Sequence, residues 1–172
     1  MLNKKIVKLD RIRSLVLMGL FVGLGTITSH LFWFPAGVAR AFPVQHAINV
    51  LAGIILGLAP AVLVAFTIGL LRNILGLGTI LAFPGGMIGA FLAGWLYQRT
   101  GDDVVALFGE VLGTGLIGSL VSVPIANLLL GKSATAFFFI IPFTISSFAG
   151  SIIAYLLLKT LRYYFTLPGK RL

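Results

Sequence analysis

The sequence predicts an all-α integral membrane protein: a bundle of six transmembrane helices in one domain, with both termini in the cytoplasm. Three observations carry this. Hydrophobic residues make up 59% of the chain and charged ones only 10%, against about 25% charged in soluble domains, and the mean hydropathy is +1.09. The apolar stretches are continuous and lack the two-residue alternation of a membrane β-barrel. The basic residues also gather on one side of the predicted spans. The whole chain, 1–172, reads as a single membrane domain with a basic collar at 1–13 and a basic tail at 159–172.

The collar holds Lys4, Lys5, Lys8, Arg11 and Arg13 against one acid, Asp10. Apolar sequence then runs from Leu15 to Phe34, enough to cross a ~30 Å hydrocarbon core. It is long for a signal-peptide core and no small-residue cleavage site follows, so it reads as a retained span. Gly19 and Gly23 form a G-x-x-x-G pair, which lets another helix approach closely. The same spacing recurs at Gly53 and Gly57, Gly85 and Gly89, and Gly109 and Gly113, so helix packing is general and the spacing does not say which pair faces a partner. His30, Phe32, Trp33 and Phe34 end the span, either as an interfacial belt or as pocket lining.

A polar knot follows, Pro35 to Asn49, holding Arg40, Gln45, His46 and Asn49 between long apolar runs. Polar groups so placed in a membrane protein mark a pocket or gate; a water-exposed connecting loop is the plainer reading. Residues 45 and 49, or 46 and 49, share a helix face, so two or three of them can point into one pocket. The next apolar run, Ala47 to Leu71, is one long span or two short ones broken at Gly57-Leu58-Ala59-Pro60, where proline removes a helix hydrogen bond.

Charge decides between them. With the break, spans at roughly 14–34, 44–58, 60–76, 84–98, 104–130 and 135–158 put Lys4, Lys5, Lys8, Arg11, Arg13, Arg99, Lys159, Arg162, Lys170 and Arg171 on one side. Only Arg40, Arg72 and Lys132 remain on the other. Without it, five spans split the basic residues nearly evenly. The positive-inside rule favours six. It also assigns the net charge of +9 to anionic lipid headgroups, so no nucleic-acid partner is expected. Two segments, 35–45 and 74–84, are expected to be irregular and to face outward.

Arg72 and Asn73 end the third span. Arg72 can bind a ligand, pair with Glu110, or snorkel to the surface. Glu110 lies about two turns into the fifth span, too far toward the cytoplasm for an outer pocket and better placed as a tie between helices. Asn127 lies in the outer half of that span. Phe137, Phe138, Phe139 and Phe143 enter the last span, to stack on a flat heterocycle or to face lipid.

Two motif matches are decoys. Ala126 to Ser133 fits a loose phosphate-loop pattern but follows a membrane helix and lacks the glycine-rich turn after a strand. Gly113 to Gly118 fits G-x-G-x-x-G inside a span, where helix packing explains it. The chain has no cysteine, four acidic residues and two histidines, with no catalytic or metal-ligand spacing among them. No enzyme activity, metal or cofactor is expected.

With the residues laid out this way, GVARAFPVQHAINVLAG, LLRNILGLGTILAFPGG and GEVLGTGLIG resemble the ThiW branch of the substrate-binding S components of energy-coupling factor (ECF) vitamin transporters, over nearly the whole chain. The resemblance implies an S-component-like fold and a binding subunit in the cell membrane without its own ATPase. Its implied ligand is hydroxyethylthiazole, the thiazole precursor of thiamine. Its implied partners are a transmembrane coupling subunit, met through Gly19 and Gly23, and two cytoplasmic ATPase subunits. The family pocket, opening outward under the first outer loop, carries onto Arg40, Gln45, His46, Asn49, Arg72 and Asn73, with Asn127 added from its depth. The expected function is capture of a small neutral heterocycle from outside. The alternative is a standalone secondary transporter or channel for such a compound, although 172 residues leave no room for the repeated halves common in such proteins.

Overall fold

The computed structural model describes residues 10–36, 39–129, 131 and 135–166; Lys4, Lys5, Lys8, Lys132, Lys170 and Arg171, all used in the charge count, lie outside them. The described residues form six helical rods. Helix α1 (Arg11–Leu31) starts at Asp10, whose side chain accepts from the Arg13 N–H at 2.8 Å, meeting one donor that a helix N-terminus leaves orphaned. Only Phe21, Gly25, Thr26 and Ser29 of α1 are buried; Leu15, Val16, Leu20, Leu24 and Ile27 are exposed, as on a lipid-facing helix.

After α1 the chain departs from expectation. Where the first span was expected to reach 34 and an irregular segment to cover 35–45, two short antiparallel strands form, β1 (Phe34–Ala36) and β2 (Ala39–Ala41), with Pro35 opposite Arg40. Pairing satisfies backbone groups that hydrocarbon cannot, and a two-stranded ladder has only edges, where proline is tolerated.

Helix α2 (Pro43–Ile55) is buried at every residue from Gln45 to Ile54, the mark of a helix enclosed by others. Its 13 residues span roughly 20 Å. The predicted break is real. Gly57 adopts φ 92° and ψ 178°, a conformation open essentially to glycine alone. Helix α3 (Leu58–Ile74) then begins, and Pro60 falls in its first turn, where the missing N–H has no helical partner to lose.

A loop over 75–81 leads into α4 (Ala82–Thr100), which ends at Gly101 in the left-handed conformation. Asp102 caps the next rod by accepting from Val104 N–H at 2.8 Å. That rod runs as α5 (Asp103–Glu110), a π-helical segment (Val111–Gly118) and α6 (Ser119–Leu129); the sequence reading had it as one uninterrupted helix. Helix α7 (Ala136–Thr166) continues past the predicted end at 158. There Arg162 donates to Asp103 Oδ1 at 2.6 Å, tying the end of α7 to the start of α5.

Gly25 of α1 abuts Ile68 of α3, and Gly53 of α2 abuts Gly94 of α4. The core of Phe21, Ile48, Val50, Leu51, Val64, Ile68 and Tyr97 fills the centre. A smaller cluster of Leu81, Ala126 and Phe139 lies apart from it. By length and composition, 11–31, 103–129 and 137–164 can each cross a membrane, and 43–55 and 58–74 are shorter apolar helices. The chain is a helical integral membrane protein.

Candidate ligand-binding site

Helix α2 begins with polar residues because two layers of polar contacts form around its first turns. The outer layer is built on Arg72, in the last turn of α3 and 2% exposed. Its Nη1 donates to Gln45 Oε1 and its Nη2 to the Leu77 carbonyl at 3.4 Å. The guanidinium lies 3.8 Å from the centre of the Phe42 ring, a favourable place for a cation. Of the three readings left open for Arg72, the structure excludes two: it neither pairs with Glu110 nor snorkels outward. Phe42 is held in turn by its N–H, which donates to Ser146 Oγ of α7 at 2.8 Å. Arg40, on β2, stacks over Trp33 at 4.1 Å.

The inner layer is built on Glu110, fully buried. Its Oε1 lies 2.7 Å from His46 Nδ1, 3.1 Å from Asn49 Nδ2 and 2.9 Å from Thr114 Oγ1. Asn49 Nδ2 also reaches the Gly86 carbonyl at 3.1 Å, and Thr114 Oγ1 the Gly85 carbonyl at 2.9 Å. A carboxylate buried in a membrane protein needs such partners. Room for it comes from α4: a Cβ on Gly89 would fall 2.6 Å from Glu110 Oε2. The π-helical segment begins at the next residue, Val111; such departures from α geometry are common at functional sites.

Between the hairpin and the inner layer lies a cavity of about 430 Å³. Arg40, Gln45, His46 and Arg72 line it, with Phe42, Thr114, Ser146, the loop 76–79, and Phe138, Phe139 and Phe143 from α7. Four of the seven residues singled out in the sequence thus meet at one cavity, and the other three do not line it. Asn49 sits in the inner layer. Asn73 holds the loop, donating to Gly69 O at 2.8 Å and Thr79 O at 3.1 Å. Asn127 is on α6. Glu110 is the tie between helices that its depth implied. Phe137 is 75% exposed and faces away, while the other three phenylalanines form a wall. Thr114 was overlooked although it lies four residues from Glu110 on the same face. Ser146 and Phe42 carry no local signal.

A family model described as thiamine-precursor transporter protein (ThiW) matches residues 15–164. The chain belongs to the ThiW family. The ThiW match runs from α1 into α7 and takes in every residue that lines the cavity. Searches of curated proteins and of solved structures gave no match. ThiW membership indicates a transporter of thiamine precursors.

Proposed function

We propose that this chain is the substrate-binding subunit of an ECF-type importer and that its ligand is hydroxyethylthiazole. The observation that carries the reading is the cavity itself: in a ThiW-family chain, aromatic walls and a few fixed polar groups meet at one end of the bundle. A volume of about 430 Å³ falls in the range of small-molecule sites, roughly 300–1,000 Å³. Phe138, Phe139 and Phe143 offer faces for a thiazole ring, and Gln45, Thr114 and Ser146 offer hydrogen bonds to its hydroxyethyl arm.

In this reading the six rods are six spans, both termini are cytoplasmic, and the hairpin roofs the pocket on the outside. Import is driven by two ATPase subunits through a coupling subunit seated on α1. The open face of α1 supports that contact: a Cβ on Gly19 or Gly23 would meet nothing within 4 Å among the described residues. Calorimetry of the purified chain with hydroxyethylthiazole, hydroxymethylpyrimidine and thiamine tests the ligand, and thiazole is expected to bind alone or tightest. Co-purification with ATPase subunits tests the assembly. Ion-driven uptake by this chain alone in proteoliposomes would rule the importer reading out.

A further inference from the structure

The cavity contains an imbalance of charge. Arg40 and Arg72 both line it, and no carboxylate answers either one. The chain has only four acidic side chains, and each is engaged elsewhere. Asp10 pairs with Arg13 at 3.3 Å, Asp102 caps α5, Asp103 binds Arg162, and Glu110 holds His46. Arg72 is the sharper case. It is 2% exposed, its contacts are to neutral carbonyl oxygens and an aromatic face, and its Nε is buried without a partner. A buried cation without a counter-charge is costly, and a guanidinium fork matches the oxygens of a phosphate or carboxylate better than those of an alcohol. The loop 76–79 presses against this side chain, with Gly78 so close that a Cβ there would sit 3.3 Å from Arg72 Cβ.

We propose that Arg72, with Arg40, forms an oxyanion subsite in the cavity, and that the preferred ligand is a small heterocycle bearing a phosphate or carboxylate group. The inference rests on the thiazole reading above and sharpens it: the anionic form of the compound, such as the phosphate monoester of hydroxyethylthiazole, binds more tightly than the neutral alcohol. The ring lies against the α7 phenylalanines, and the ligand's oxygens supply the counter-charge that the chain lacks.

The test is calorimetry of the full chain in neutral detergent with four probes: hydroxyethylthiazole, its phosphate monoester, thiamine monophosphate and inorganic phosphate. The monoester is expected to bind at least about tenfold more tightly than the alcohol, a ratio lost in Arg72→Gln and reduced in Arg40→Gln, each of which weakens the monoester more than the alcohol. Should Arg72→Gln fail to fold, Arg40→Gln at an exposed position and Arg72→Lys, which keeps the charge but loses the fork, carry the comparison. Equal binding of alcohol and monoester overturns the subsite and leaves the thiazole function standing. Binding of thiamine monophosphate but of neither thiazole, with the same dependence on Arg72, keeps the subsite and overturns the thiazole function. Displacement of the monoester by phosphatidylglycerol would assign the two arginines to a lipid headgroup and overturn the ligand proposal, as would binding of none of the four probes.

Discussion

His46 Nδ1 lies 2.7 Å from Glu110 Oε1 across 64 residues of sequence, and this contact fastens the wall of the cavity to the middle of the bundle. His46 is both a lining residue and a partner of the most deeply buried charge. A change in how it meets a ligand therefore bears directly on the packing of α2 against α5 and the π-helical segment.

Glu110→Ala would strand the His46, Asn49 and Thr114 groups that now converge on one oxygen. Breaking a buried pair on one side costs about 3–5 kcal/mol. A large fall in the thermal unfolding midpoint in detergent is expected. Glu110→Gln, which keeps an acceptor oxygen, should lose clearly less. Equal midpoints for wild type and Glu110→Ala would show that the inner layer is not structural.

Gly89 and Gly19 provide a matched pair. Gly89→Ala drives a methyl into Glu110, and overpacking of this kind costs about 1–3 kcal/mol. Gly19→Ala meets open space on α1 and should leave the midpoint unchanged within about 0.5 kcal/mol. A bulkier change, Gly19→Leu with Gly23→Leu, is expected to abolish co-purification with the coupling subunit while thiazole binding by the isolated chain persists.

Arg40→Ala removes a lining guanidinium that is exposed and stacked on Trp33. Affinity for the phosphate monoester should fall at least about tenfold, equivalent to ~1.4 kcal/mol, and affinity for the neutral alcohol by less, with the unfolding midpoint intact. His46→Ala should lower both affinity and midpoint, because it also unpairs Glu110. Calorimetry alongside thermal unfolding distinguishes the two.

Ser146→Ala deletes the acceptor for the Phe42 N–H, the hydrogen bond that holds the end of the hairpin to α7. A cost of about 1 kcal/mol is expected, with faster ligand dissociation read by stopped-flow fluorescence of Trp33. An unchanged dissociation rate would free the hairpin of any part in retaining ligand.

The rods were legible as apolar runs, with Gly57 and Pro60 marking the break between α2 and α3 and the placement of basic residues deciding the count. The short strands were not. Three residues each, one containing proline, they have no period to read, and their pairing is set across the two strands, not by a local propensity. The π-helical segment was equally silent, since an i→i+5 step leaves no mark in composition. The outer layer was half legible. Arg40, Gln45, His46 and Arg72 stood out as polar residues in apolar surroundings, but which of them meet depends on how α2 and α3 align. Asn49 and Asn73 stood out for the same reason and hold structure together around the cavity, Asn49 in the inner layer with Glu110 and Asn73 in the last turn of α3, bonded to the loop at Thr79.

Helix α2 covers roughly 20 Å, about 10 Å less than a hydrocarbon core. In the proposed six-span arrangement α2 is enclosed by its neighbours, and the hairpin and the cavity would make up the shortfall. A bound solute would stand where two further helical turns would otherwise be. In the six-span reading, inserting two turns of alanines before Pro43 is expected to fill the site with backbone, completing the span and abolishing ligand binding.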